Sequence, residues 1–166
     1  MADPLDVILR SIKQKEACLN IGCQDSGKGA RLSKEGFSVT FLDINKQEPT
    51  SIKTKFNLSN AKFIQQDIRE FETDEKFDVI LLNRMIQIFS HKDQEKVINL
   101  LKNLINSGGC IHMTWPNLDN FPTINKAKKM FSSNFRTIFQ KTFLKKDSEN
   151  HEHIIRSIVL KKFNSV

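Results

Sequence analysis

The chain has 166 residues, 39% hydrophobic and 27% charged, with a formal net charge of +7. That length suits one domain with a real core and is short for a two-domain enzyme, so the expected organisation is a single domain over residues 1–166. No segment approaches the roughly 20 apolar residues of a membrane span, and the opening Met1-Ala2-Asp3-Pro4-Leu5-Asp6 lacks the basic and apolar regions of a secretory leader. The expected location is the cytoplasm, with no membrane partner.

The positive charge is dispersed, with lysine pairs at 128–129, 145–146 and 161–162. Phenylalanines alternate with basic residues over 135–146, which is the pattern of a strand with one buried face. Both features favour solvated edges over nucleic-acid contact. The three cysteines show no metal-ligand spacing. Cys18 and Cys110 lie in apolar strand patterns and read as small buried hydrophobes, whereas Cys23, in a glycine turn before a helix, is the candidate for a lowered thiol pKa.

In chain order, Asp3-Pro4 starts a helix, with Asp as N-cap and Pro in the first turn; Leu5, Ile8, Leu9 and Ile12 give it one apolar face. Residues 17–21 form a short apolar strand that Gly22 interrupts. Residues 28–35 are helix-compatible, Gly36 stops them, and residues 38–42 are rich in β-formers ending at Asp43. The acid follows the first glycine by about 20 residues, the spacing of a nucleotide-binding βαβ unit. In such a unit, turn amides and a helix N-terminus face an anionic group while the acid accepts from ribose hydroxyls.

Residues 45–58 form a polar connection with Pro49 and a short helix from Thr50; residues 62–65 are a third strand ending at Asp67. After a charged loop, residues 77–82 are continuously apolar, as in a central parallel strand buried on both faces. Ser90 caps a helix through Ile105, which Ser107-Gly108-Gly109 ends, and residues 110–115 form the fifth strand. A short helix over 123–131 precedes two β-rich runs, 135–144 and 153–163, which a polar turn joins into an antiparallel hairpin.

The stretch Ala17 to Asn45, with Phe63 to Ile68, Phe77 to Asn83 and Ser107 to Trp115, resembles class I S-adenosylmethionine-dependent methyltransferases, and within them the tellurite-resistance methyltransferase group. The resemblance implies an α/β, Rossmann-like seven-stranded fold, mostly parallel and closed by an antiparallel C-terminal hairpin. It also implies S-adenosylmethionine as cofactor. Gly22 would admit the methionine part, Asp43 would take the ribose hydroxyls and Ile44 would pack on adenine. Asp67, with Ile68 beside it, would meet the adenine edge, and Asn83 would contact the methionine end. The implied activity is direct in-line methyl transfer to a small-molecule acceptor, because no separate domain grips a macromolecule. Such chemistry rests on positioning and water exclusion, so no catalytic residue is singled out. Arg84, His112 and Trp115 are candidates for the pocket wall, and His112 also reads as an ordinary strand residue.

The chain departs from the family pattern at Asn20, where an acid is usual, and at Gln24 and Ser26, where glycines are usual. These departures sustain an alternative, a non-catalytic methyltransferase-like module that binds a partner. A nicotinamide-dependent enzyme is disfavoured by the closing hairpin. His151-Glu152-His153 puts two histidines on one strand face, an incomplete ligand set for a metal, and none is expected. Nothing in the sequence selects an oligomeric state.

Overall fold

The structure is a computed structural model; it describes residues 3–13, 15–22, 27–45, 54–58, 61–117, 123–131, 134–146 and 149–163. Cys23, Gln24 and Ser26 lie outside these residues, as does the start of the helix expected from Thr50, of which residues 54–56 are helical.

Helix α1 (Pro4–Ser11) is capped by Asp3, whose carboxylate accepts from the Leu5 amide at 2.7 Å. Strand β1 (Ala17–Ile21) leads through Gly22 to α2 (Gly27–Lys34), and β2 (Ser38–Asp43) follows the stop at Gly36, whose φ of +99° is left-handed. Then come β3 (Lys62–Gln65), β4 (Phe77–Asn83), α3 (His91–Leu104), β5 (Ile105–Pro116), α4 (Ile124–Met130), β6 (Phe135–Lys146) and β7 (Glu152–Lys162). Ser90 and Thr123 cap α3 and α4 with their hydroxyls.

The strands form one seven-stranded sheet in the order β3-β2-β1-β4-β5-β7-β6. The first five run parallel, and β7 pairs antiparallel with both β5 and β6. Because β4 is central, its side chains from Phe77 to Leu82 are all buried. One face packs under α1 and α2 through Ile8, Leu32, Phe41, Val79, Leu81 and Val159. The other packs under α3 and α4 through Leu19, Ile80, Leu82, Leu101, Trp115 and Ala127.

The fifth strand begins five residues earlier than expected. α3 ends at Leu104, and Ile105 already pairs with Phe77, while the next pair is Val79 with Cys110. Asp78 alone therefore faces residues 106–109, and the expected helix stop at Ser107-Gly108-Gly109 is a bulge within β5. Gly108 takes the left-handed φ of +79° that this bulge needs. Asp78 explains the distortion. Its carboxylate accepts from Asn106 Nδ2 at 2.9 Å and from the amides of Glu16 and Ala17 at 3.2 and 3.1 Å, tying three segments together at the amino end of the sheet.

Candidate active site

The site follows from the pairing register at the carboxyl edge of the sheet. Gln65 lies opposite Asp43, Asn83 opposite Thr114, Thr114 opposite Ser157, and Ser157 opposite Lys141. Ile21 lies opposite both Leu42 and Leu82, so the next residue, Gly22, falls between Asp43 and Asn83. The result is one row across all seven strands. With neighbouring strands about 4.8 Å apart, Asp43 and Asn83 are separated by roughly 10 Å. Alternation puts Asn83, Thr114 and Ser157 on the same face as Leu81, Cys110 and Val159, beneath α1 and α2.

Gly22 sits at the bend after β1 with φ +70°, and its amide donates to the Leu42 carbonyl at 3.0 Å. A side chain there would be strained, and its Cβ would collide with Met85, reaching Sδ at 2.8 Å. Asp43 ends β2 and accepts from the Asn45 amide at 2.9 Å, which sets the chain turn after the strand. Ile44, 65% exposed, offers a flat apolar surface beside that carboxylate.

Asp67, expected at the adenine edge, lies two residues beyond the end of β3. It caps the 3-10 turn Ile68–Glu70, and Arg69 grips it with Nη2 at 2.6 Å and Nε at 3.0 Å. This guanidinium holds the Asp67 carboxyl below the usual carboxylate range. Arg69 also reaches Asp93 at 3.4 Å and lies over the Phe89 ring. The Ile68 side chain is buried in the core beneath the turn, so any ligand contact there falls to its main chain.

Asn83 organises the other half of the row. Its Oδ1 accepts from Lys28 Nζ at 2.9 Å and from Thr114 Oγ1 at 3.5 Å, while its buried Nδ2 has no hydrogen-bond partner among the described residues. Burial lowers the Lys28 pKa to about 8; Asp3 acts to raise it, and Lys145 and Arg84 to lower it. Arg84 follows with φ +50°, its amide donating to the Thr114 carbonyl at 2.8 Å. His112, fully buried, bonds through Nε2 to Ser157 Oγ at 3.0 Å, and its Nδ1 has no partner among the described residues. Burial, and then the Lys28 charge, push its pKa well down, so it is neutral at physiological pH. Trp115, also fully buried, belongs to the core on the α3 face. Asn20 is fully buried under α2, with its Nδ2 so close to Gly29 that a Cβ at 29 would come within 2.7 Å.

Beside Asn83, a cavity of about 350 Å³ opens between α1, α2 and the ends of β5, β6 and β7. Its walls are Asp3, Pro4, Lys28, Thr114, Ser157 and the β6 residues Phe139, Lys141 and Phe143. The sequence reading missed Lys28, Met85, Thr114 and Ser157; only the sheet register assembles them. A larger cavity of about 480 Å³ lies at the opposite, amino end of the sheet, around Asp78 and Gly108. It lies at the other end of the strands from this row, and parallel sheets bind ligands at their carboxyl edge.

Residues 12–158 match the family model described as a methyltransferase domain. The chain belongs to that family. It is 26% identical over 137 residues to the ubiquinone biosynthesis O-methyltransferase of Rickettsia typhi, covering 76% of this chain and 51% of that protein. It is 28% identical over 114 residues to malonyl-[acyl-carrier protein] O-methyltransferase 1 of Ilyobacter polytropus, covering 67% and 42%. The chain thus spans about half the length, or less, of the curated relatives it matches. Among solved structures, N-methyltransferase NodS from Bradyrhizobium japonicum WM9, in complex with S-adenosyl-L-homocysteine, matches the fold with a TM-score of 0.78 at 14% identity, covering 95% of this chain and 83% of that one. TehB from Haemophilus influenzae matches with 0.71 at 19% identity, covering 88% and 57%. These structures share this chain's fold, and the methyl donor that the sequence resemblance implies is S-adenosylmethionine.

The row fits that cofactor. A carboxylate, an exposed apolar side chain, a glycine that tolerates no Cβ and an unpaired buried amide nitrogen succeed one another along the edge. They match, in order, a ribose diol, an adenine face, a close backbone approach and an amino-acid carboxylate. Among the described residues, no group of three histidine, cysteine, aspartate or glutamate side chains could hold a metal, and no helix is long and apolar enough to cross a membrane.

Proposed function

We propose that the domain transfers a methyl group from S-adenosylmethionine to a small-molecule acceptor bound in the cavity beside Asn83. The observation that supports this is adjacency: the cavity opens from the same row that offers Asp43 and Gly22 to the cofactor. Asp43 holds the ribose hydroxyls, Ile44 covers adenine, and Asp67 and the Ile68 main chain border the adenine edge. Gly22 and Asn83 receive the methionine end. When bound, the cofactor supplies an electrophilic methyl group on a sulfonium. The chain supplies position and dryness: the cavity's phenylalanines and α1 exclude water, and Asn83, fixed by Lys28 and Thr114, marks the boundary between donor and acceptor.

At about 350 Å³ the cavity sits at the lower end of small-molecule sites, roughly 300–1,000 Å³. A macromolecular acceptor would need a broader docking face. The test is incubation with S-adenosylmethionine labelled at the methyl carbon, together with a cell extract separated into small molecules, protein and nucleic acid. Label entering the small-molecule fraction supports the proposal; label confined to protein or nucleic acid overturns it.

A further inference from the structure

The acceptor cavity has a charge of its own, independent of the cofactor row. Its lining offers the Lys28 ammonium, one of whose three N–H groups is used by Asn83. Lys141 stands on the β6 wall with its ammonium 5.4 Å from the Phe143 ring centroid. The hydroxyls of Thr114 and Ser157 complete the polar side. Asp3 is the acid among the lining residues, and it is engaged elsewhere: its carboxylate accepts from the Leu5 amide and lies 3.6 Å from Arg31. His112 adds no charge, because burial keeps it neutral. Apart from Asp3, which is shared with the Leu5 amide and Arg31, the polar lining consists of donors and cations, while Phe139 and Phe143 make the remaining wall flat and apolar.

Building on the methyltransferase reading above, we infer that the acceptor is a compact aromatic carboxylate. Its carboxylate meets Lys28, and its ring lies against Phe139 and Phe143. A buried ammonium is costly without a counter-ion, and a ligand carboxylate repays that cost. Lys28 is mainly cationic at pH 7, since its pKa of about 8 lies above that. The charged or titratable groups facing it are Asp3 from α1, Arg84 after β4, His112 on β5, and Lys141 and Lys145 on β6. Of these only Asp3 opposes an anion. Binding of a carboxylate should accordingly weaken as pH rises through 8 and Lys28 discharges.

The test is calorimetry of the full chain saturated with S-adenosylhomocysteine, using benzoate and its neutral isostere benzamide as probes. Benzoate should bind at least tenfold more tightly than benzamide at pH 7 and lose that advantage by pH 9. Lys28→Met, saturated with S-adenosylhomocysteine at whatever concentration that requires, should lose the preference for the acid and bind benzamide as the wild type does; Lys28→Arg should retain the preference. Equal binding of the two probes, or binding of neither to the loaded wild-type chain, overturns the inference. So does a Lys28→Met variant that, once loaded with S-adenosylhomocysteine, still prefers benzoate. No heat with S-adenosylhomocysteine on the wild-type chain would overturn the methyltransferase reading itself, and is a separate outcome.

Discussion

The Met85 side chain lies directly over the α-carbon of Gly22, close enough that no Cβ fits between them. Strand β1 therefore ends in a turn that both its left-handed φ and its neighbour restrict to glycine. Gly22→Ala should cost about 1–2 kcal/mol in backbone strain and a further 1–3 kcal/mol in overpacking. Urea unfolding of Gly22→Ala, Met85→Ala and the double variant measures this. The double variant should recover the packing part of the loss but not the strain, so a favourable coupling energy is expected.

Asp78 has no part in the site, yet it joins β1, β4 and the β5 bulge at the far edge of the sheet. Asp78→Ala leaves three donors without their acceptor and should destabilise the fold by roughly 2–5 kcal/mol. The urea midpoint should fall accordingly, while the folded fraction binds S-adenosylmethionine as the wild type does. A matching loss of cofactor affinity would show that the two ends of the sheet are coupled.

His112 should make the fold acid-labile. Its pKa is lowered in the folded state, so below about 6.5 the unfolded chain takes up a proton that the native one refuses. Stability from this residue is thus present above that value and lost as pH falls below it. His112→Gln should flatten the decline in urea midpoint between pH 7 and pH 5. An unchanged decline would assign acid lability to other groups.

Burial pushes the Cys110 thiol up to about 12 and raises Cys18 further still, the latter aided by Asp78. Both are fully buried. Mass mapping after treatment of the native protein with a thiol reagent should find neither modified, and both modified in urea. Native labelling of either would contradict the packing of the α1–α2 face.

The strand sequence was legible because buried parallel strands are continuous apolar runs and the closing hairpin alternates. Residues 77–82 and 62–65 fall where the pattern puts them. The β5 bulge was hidden because Ser107-Gly108-Gly109 resembles a helix stop, and only Asp78, distant in sequence, shows why the chain continues as strand. Asp43, Gly22 and Asn83 were readable from strand-end positions. Lys28 was not: a lysine at a helix start looks solvated until the register sets it against Asn83. Asp67 was half legible, since its position is a strand-end position but its partner Arg69 lies two residues on.

The central claim is that the carboxylate of Asp43 and the turn at Gly22 together hold S-adenosylmethionine at the carboxyl edge of the sheet. Titration calorimetry of wild-type protein and Asp43→Ala with S-adenosylmethionine tests it most directly. Saturable binding to the wild type that weakens at least tenfold in Asp43→Ala, about 1.4 kcal/mol, is the expected result. No heat with the wild type at millimolar ligand, or equal binding by the two proteins, would contradict it.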